Sequence, residues 1–587
     1  MSLTGAQAVV KCLEREGVEY IFGMVGHANL PLFDALNDST IQLIAMPHEQ
    51  LAAHAADAYF RVSHKPGVVT TTIGPGLSNA VTGIMDAAAD TSAMVVLSGN
   101  VPTSYRGFES FQEFSMHYDA AQVDVVRPIV KRAWQVLHPD MLTHALARAF
   151  NFAVSGRPGP VLVDVPFDLY ARTGDYKIPN MPKRRPSGTR IKGDEAEVER
   201  AAGLLRSARR PLIFAGNGVL LSEASKELET VAEYLAIPVV TSMTAHGAMR
   251  TDHPLYAGFT GSVGTPAAND LAKRADVVLA LGTRFNELTS NSWLPEHFFP
   301  IPETSIIQVD IQPEEVGKIY ETEVGIVGDV KAVLEQLLEA LQDQGPRVDP
   351  RDSQWVQRME EINTKWTEEL AEIQQSDANP IEIARLLKNV RDALPKDGII
   401  VGGVGPRHAI VQQFPIYEPR TCLLNNGHGT MGFSVPAALG AKLAAPDKTV
   451  ICVTGDGEFR SVSQILAPAV EYGINVVWLI LNNYGFNIID LYQKRHYERR
   501  IGTEFKIAST GTPYNPDFTA LARAYGAEGQ RVERPEDLPA ALDAAFASDR
   551  PYILDVLTTP QPRIRATGYW DANRFLRLGF NEQVSET

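Results

Sequence analysis

Two short segments of this sequence have the residue types to hold a phosphate and a divalent cation between them. Val453-Thr454-Gly455-Asp456-Gly457-Glu458 follows an apolar run and opens a helical pattern. A strand, a tight glycine turn and a helix N-terminus make an anion site, because the first amides point outward and the helix dipole favours negative charge. Asp456, set between two glycines, adds a carboxylate suited to octahedral Mg²⁺ bridging a diphosphate. A second apolar run ends in Leu481-Asn482-Asn483-Tyr484-Gly485. Asn483 at a strand's C-terminal end can offer a neutral oxygen to the same cation, and the Gly485 carbonyl can offer another. One Gly-Asp-Gly is most often a plain turn; the pair at this separation is specific.

Glu49 lies in Met46-Pro47-His48-Glu49-Gln50, followed by Ala53-His54-Ala55-Ala56-Asp57-Ala58-Tyr59. An isolated glutamate is usually a solvated helix charge. Taken together, however, these segments resemble the thiamine-diphosphate enzymes over nearly the whole chain, most closely the acetolactate synthase-like branch. The resemblance implies thiamine diphosphate and Mg²⁺ as cofactors, with Asp456, Asn483 and the Gly485 carbonyl on the metal and Gly455, Gly457 and Glu458 in the diphosphate motif. It implies that Glu49 is the catalytic glutamate bonded to the aminopyrimidine, where a carboxylic acid favours the tautomer that can accept a proton from the thiazolium. Ile73-Gly74-Pro75-Gly76-Leu77-Ser78-Asn79 resembles the family's Gly-Pro-Gly turn beside the pyrimidine, bringing in Pro75 and Asn79. Asn425-Asn426-Gly427-His428-Gly429-Thr430-Met431-Gly432-Phe433 resembles the pyrimidine cradle. There the Gly429 carbonyl and Met431 amide would bind the ring edge and the Met431 side chain would bend the cofactor; His408 is assigned to the same cofactor site. The family often has a glycine where Asn487 stands. Its sites join the first domain of one chain to the third of another, which implies a homodimer or homotetramer.

Other positions bear on the substrate. His27, in Gly26-His27-Ala28-Asn29, could act on the reacting carbonyl as acid, base or donor, or simply cap the next helix. A histidine here also resembles the cyclic-dione hydrolases of the superfamily. Phe111-Gln112-Glu113 matches a synthase segment that places Gln112 near the thiazolium side of the pocket. Arg284 resembles the middle-domain arginine that faces the entrance and binds a carboxylate or a flavin. Synthases commonly continue with two aspartates and an arginine; Asn286, Glu287 and Leu288 follow here, which speaks against FAD and against a specific pocket for a second 2-oxo acid. Tyr492 aligns with the synthase entrance tryptophan, beside the cationic run Lys494 to Arg500, which is either a solvated helix face or a funnel for an anionic substrate. The expected reaction is carbon–carbon bond cleavage or formation on a small 2-oxo acid or 2-hydroxyketone, acetolactate synthase-like carboligation first. Hydrolysis, 2-hydroxyacyl-CoA lysis and simple decarboxylation are the alternatives, and a non-enzymatic cofactor-binding relative comes last.

The elements that must position these residues alternate short apolar runs with amphipathic stretches, the pattern of α/β domains with parallel sheets. Strands are expected at Tyr20–Gly23, Val68–Thr72, Met94–Leu97 and Val161–Val165, then at Pro211–Ala215, Pro238–Thr241, Val277–Leu281 and Ile306–Asp310. The last third adds Ile399–Val401, Val450–Val453, Val476–Leu481 and Tyr552–Leu557. Polar passages at Lys177–Lys192, with Lys183, Arg184 and Arg185, and at Gln342–Asp352 read as linkers. The fold class is therefore α/β with three consecutive doubly wound domains: a pyrimidine-binding domain over 1–176, a central Rossmann-like domain over 193–342 and a diphosphate-binding domain over 379–557. Residues 558–587, rich in aromatic residues, form a tail or a lid.

Length and charge agree with this reading. A chain of 587 residues exceeds what one core organises. It carries 54 Lys and Arg against 70 Asp and Glu, a formal charge of −16, and no dominant basic patch, so nucleic-acid and anionic-membrane binding are not expected. Cys12, Cys422 and Cys452 are too few and scattered for a disulfide scaffold. No apolar run reaches a membrane span, and no signal segment opens the sequence; a cytoplasmic location is the expectation.

Overall fold

The computed structural model describes residues 2–113, 121–180, 190–560, 563 and 567–571. Three six-stranded sheets, parallel throughout, follow one another along the chain. The first comprises β1 (Tyr20–Gly23), β2 (Gln42–Ala45), β3 (Gly67–Thr71), β4 (Met94–Asn100), β5 (Arg132–Gln135) and β6 (Pro160–Pro166). The second comprises β7 (Pro211–Ala215), β8 (Val239–Thr241), β9 (Tyr256–Phe259), β10 (Val277–Leu281), β11 (Ser305–Asp310) and β12 (Val324–Val327). The third comprises β13 (Ile399–Gly402), β14 (Cys422–Leu424), β15 (Val450–Gly455), β16 (Val477–Asn482), β17 (Glu528–Val532) and β18 (Tyr552–Leu557).

Spatial order explains where the sites must lie. The first sheet runs β2-β1-β3-β4-β6-β5 and the third β14-β13-β15-β16-β18-β17, one shared topology. The middle sheet runs β9-β8-β7-β10-β11-β12, the dinucleotide-binding order. In open parallel sheets, ligands bind outside the strand C-termini where the order reverses. Those switch points fall between β1 and β3, β7 and β10, and β13 and β15. The turn before His27, the Gly74-Pro75-Gly76 turn, the Gly455-Asp456-Gly457 turn and the loop leading to His408 all follow these strands.

Seven helices matter for the site: α1 (Glu49–Ser63), α2 (Pro75–Ala89), α3 (Gln354–Gln374), α4 (Arg407–Gln413), α5 (Ser434–Ala444), α6 (Asp456–Val462) and α7 (Asn487–Tyr497). First-domain α1 and third-domain α5 cross almost backbone on backbone. Their contact uses small residues such as Ala52, Ala55, Ala437 and Ala441, and a Cβ on Gly440 would stand 1.9 Å from the Ala55 carbonyl oxygen. The outer domains thus share one apolar core, whereas the middle domain has its own.

The polar stretch expected as a linker before Asp352 leads into α3, which returns to the middle domain: Trp355 is buried and its Nε1 donates to the Pro211 carbonyl at 2.9 Å. Lys183, Arg184 and Arg185 and most of the tail lie outside the described residues. All three cysteines are buried, and burial pushes the Cys12 thiol up to about 12. Among the described residues no helix is long and apolar enough to cross a membrane.

Candidate active site

In the first domain, Glu49 opens α1 directly after its N-cap, His48, whose Nδ1 accepts from the Gln50 amide at 3.2 Å. The carboxyl is only 4% exposed. Asn79 Nδ2 donates to Glu49 Oε2 at 3.0 Å, and Gly76 leaves room for Oε1: a Cβ there would stand 3.2 Å from it. Pro75 is the first residue of α2, where its fixed φ and missing amide cost nothing. Gly74 must be glycine, since its φ is +64° and a Cβ would lie 2.4 Å from the Gln112 carbonyl. That contact brings Gln112 against the turn. Gln112 itself has φ +63°, and its Oε1 is buried without a hydrogen-bond partner among the described residues. His27 starts a short 3-10 turn and lies exposed, its ring 5.3 Å from that of Phe111. The first-domain candidates thus gather around one turn.

A residue the sequence reading missed holds that turn. Gln122 Oε1 accepts from the Gly74 amide at 3.2 Å, while its Nε2 donates to Asp164 Oδ1 and to the Gly99 carbonyl. Asp164 is fully buried, and burial pushes its carboxyl up to about 6 against the pull of Asn100 and Gln122. No local spacing signals either residue.

In the third domain, Asp456 begins α6 with Gly455 as the N-cap. Its carboxylate is 1% exposed and accepts from the amides of Gly457 (2.7 Å), Asn483 (3.1 Å) and Tyr484 (2.7 Å) and from Asn515 Nδ2 (2.8 Å). Burial raises its pKa and those donors oppose the rise. The carboxylate therefore ties the loop after β16 to the turn after β15. Asn483 Oδ1 is buried with no hydrogen-bond partner among the described residues. Gly485 pairs with Glu504 in an isolated antiparallel bridge, and a Cβ on it would lie 2.6 Å from the Thr503 carbonyl. Gly457 makes room for Phe486, whose ring carbon would be 2.4 Å from a Cβ. Glu458 is turned inward: its carboxylate accepts from Ser434 Oγ at 2.8 Å, the Ser434 amide at 3.2 Å and the Val404 amide at 3.0 Å.

The cradle segment runs from β14 to α5. Gly429 and Gly432 have φ of +70° and +94°, which only glycine adopts without strain, and Met431 between them is 45% exposed. Asn425 Nδ2 donates to the Thr430 carbonyl at 3.0 Å and closes the loop. His408, on α4 beside Arg407, is pushed down to about 3 by burial and then by that guanidinium, so it is neutral.

Arg284 and Tyr492 are in different places. Arg284 Nη2 donates to the Ala89 carbonyl at 2.5 Å, and the side chain lines a cleft between all three domains with Asn217, Gly218 and Asp310. Tyr492 lies on α7, which begins two residues after Gly485, and its ring is 5.7 Å from Trp570 and stacked on His496. Described tail residues dock on the middle domain. Trp570 Nε1 donates to Glu287 Oε1 at 3.1 Å, the Tyr569 amide to Asn291 Oδ1 at 2.9 Å, and the Tyr569 ring stacks on His297. Of the cations nearby, Lys494 and Arg500 pair with Asp490 and Glu504.

Three parallel α/β domains with these turns have the form of a thiamine-diphosphate enzyme, and sequence comparison shows that class. The chain matches the thiamine pyrophosphate enzyme N-terminal TPP binding domain over residues 3–123, the central domain over 198–337 and the C-terminal TPP binding domain over 403–556. It belongs to the thiamine pyrophosphate enzymes, in the branch of the acetolactate synthase large subunits. The probable acetolactate synthase large subunit of Methanocaldococcus jannaschii is 38% identical over 95% of this chain and 92% of its own length. The acetolactate synthase large subunit of Corynebacterium glutamicum is 36% identical over 94% and 87%, and isozyme 3 of Escherichia coli 34% over 93% and 93%.

Proposed function

We propose that this enzyme is an acetolactate synthase-like carboligase: it decarboxylates a 2-oxo acid and joins the remaining carbons to the carbonyl of a second. The pairing of a buried Glu49, bonded to Asn79 after the β3 switch-point turn, with an Asp456 that follows β15 and holds the Asn483 loop carries the reading, and the relatives' names support it. Thiamine diphosphate, when bound, supplies the nucleophilic carbon and electron sink that decarboxylation of a 2-oxo acid requires. Glu49 would hold a proton at the pyrimidine ring nitrogen, and Asn79 would keep its carboxyl aimed. Met431 would press against the ring from its glycine-flanked loop. Gln112 and His27 would face the reacting carbonyl. The observations favour Mg²⁺ at Asp456, Asn483 Oδ1 and the Gly485 carbonyl. Among the described residues no cluster of three or more His, Cys, Asp or Glu could take a metal, whereas one carboxylate and neutral oxygens suit an octahedral cation completed by diphosphate. The orphaned Asn483 Oδ1 is an acceptor waiting for such a partner.

The half-sites of one chain expose apolar residues, Phe111 in the first domain and Met431 and Ile489 in the third. Their exposure supports a dimer with sites between chains, in which a second copy would cover them. The contacts of Tyr569 and Trp570 support a tail that covers the entrance beside Tyr492. Product analysis with pyruvate is the test. Acetolactate is expected; acetaldehyde alone would make the enzyme a decarboxylase, and turnover of a cyclic dione but not of pyruvate would move it to the hydrolases suggested by His27.

The interdomain cleft at the middle domain's switch point is proposed as a nucleotide site. Gly216 and Gly218 bring the turn after β7 against Gly282 after β10, where a Cβ on Gly218 would meet the Gly282 Cα at 2.6 Å. Asp310, at the end of β11, lines this cleft and offers an acceptor for a ribose hydroxyl. With Asn286-Glu287-Leu288 beyond Arg284, an adenine nucleotide without flavin is expected. Denatured supernatant of purified protein should absorb near 260 nm without the 450 nm band; a flavin band would restore FAD.

A further inference from the structure

The same helix that holds Glu49 at its N-terminus ends against the cradle at its C-terminus. α2 contributes Asn79 to Glu49 near its start, and its C-cap is Asp90. A carboxylate at a helix C-terminus opposes the dipole, and Asp90 is also 4% exposed, so its charge needs compensation. Three donors supply it. The amide of Asn426 donates to Asp90 Oδ2 at 3.0 Å, the amide of Gly427 to Oδ1 at 2.8 Å, and Arg61 Nη2 to Oδ2 at 3.3 Å. Arg61 is itself fixed by both oxygens of Asp57 at 2.7 Å and by the Leu424 carbonyl at 2.9 Å, at the entry to the cradle. From the other side, Arg407 Nη1 donates to the Asn425 carbonyl at 2.5 Å.

Gly427 shows how close the approach is. A Cβ there would stand 2.7 Å from the Ala89 Cβ and 2.8 Å from the Ala89 carbonyl oxygen. The cradle's backbone is therefore docked on the end of α2 by two amides on one carboxylate, with no side chain between. The residues that would touch the pyrimidine, Gly429 and Met431, begin two positions beyond this clamp.

We infer that Asp90, oriented by Arg61, is a positioning residue for the cofactor: it fixes the Asn426–Gly427 backbone and so the height and angle at which Gly429 and Met431 meet the pyrimidine. The inference rests on the reading of residues 425–433 as the cradle. Asp90 touches no reacting atom, and its influence passes through the backbone it holds.

Thiamine diphosphate affinity, measured by quenching of intrinsic fluorescence at saturating Mg²⁺, tests this in the full chain. Asp90→Asn keeps the shape but sets an NH₂ against one backbone amide. It should weaken cofactor binding by about tenfold, the loss of one charge-assisted hydrogen bond. The KM for pyruvate at saturating cofactor should stay at the wild-type value, and amides 425–432 should exchange faster with deuterium. Arg61→Lys leaves both amide bonds but removes the fork that aims the carboxylate, and should act in the same direction more weakly; it serves if Asp90→Asn does not fold. Met431→Ala is the control for the cradle itself. If Met431→Ala weakens cofactor binding while Asp90→Asn and Arg61→Lys bind as wild type and only melt earlier, the positioning role is wrong and the cradle stands. If all three bind as wild type, the cradle reading falls and this inference with it.

Discussion

Replacing Glu49 with Gln will leave a folded protein that binds thiamine diphosphate yet turns over pyruvate roughly 10²–10⁴-fold more slowly, the range for losing a positioned proton-transfer group. Gln is isosteric, and the neighbours of Glu49 ask little of its charge. Asn79 Nδ2 can donate to an amide oxygen as it does to the carboxylate, and Gly76 leaves the same space. What disappears is the group able to share a proton with a ring nitrogen. Steady-state kinetics alongside a cofactor titration check the claim: kcat should collapse while cofactor affinity changes little. A variant with near wild-type kcat would remove Glu49 from the chemistry and return it to the role of a buried helix-start residue. Loss of cofactor binding with unchanged residual kcat per bound cofactor would make it a binding group only.

How much of this was legible before the structure depends on whether the information is local. The four inner strands of each sheet stand out in the sequence, because a strand covered on both faces must be continuously apolar. None of the six edge strands stands out, because each is polar, short or both. β17 reads Glu528-Gly529-Gln530-Arg531-Val532 and carries no apolar run, whereas β12 (Val324-Gly325-Ile326-Val327) and β14 (Cys422-Leu423-Leu424) are apolar but only four and three residues long, too short to stand out between turns. The helix α3 was missed because its long polar face, Glu360 to Glu372, masks the few buried positions around Trp355.

The candidate site divides the same way. Gly455-Asp456-Gly457, Asn482-Asn483 and Gly74-Pro75-Gly76 are contiguous, since a turn that brings backbone to a phosphate or a ring must be built from neighbouring residues. The groups that hold those turns in place are not contiguous with them. Gln122 reaches Gly74 across 48 positions, Asn515 reaches Asp456 across 59, and Asp90 reaches Gly427 across 337. Glu458 belongs to the cofactor motif by sequence, yet its carboxylate is occupied by Ser434 and Val404, bonds that tie α6 to α5 and to the loop after β13. A single Asp, Gln or Asn carries no sign of such a partner. Topology adds the remaining piece: the two outer sheets have one strand order, so each brings its candidate residues to a corresponding switch point, and the proposed site draws on both domains.

That division predicts a result for pairs of inactive chains. Asp456→Asn should abolish cofactor-dependent activity, by at least about 100-fold, because it removes both the proposed metal ligand and the acceptor that binds three backbone amides. An amide there presents an NH₂ to donors that cannot accept from it, so the loop after β16 should loosen as well; added Mg²⁺ should recover little. Mixed with Glu49→Gln and allowed to exchange subunits, however, this variant should regain activity. In a two-fold dimer whose sites join the first domain of one chain to the third of the other, a mixed pair has one site bearing both substitutions and one bearing neither. Random pairing of equal amounts then gives roughly a quarter of wild-type activity. Each variant alone gives background. If every site were completed within one chain, Glu49 and Asp456 would be lost from separate sites in the mixture, none would be intact, and mixing would restore nothing. The recovered rate therefore reports on the two residues and on the assembly together, and it needs no knowledge of the substrate beyond one that the wild-type enzyme turns over.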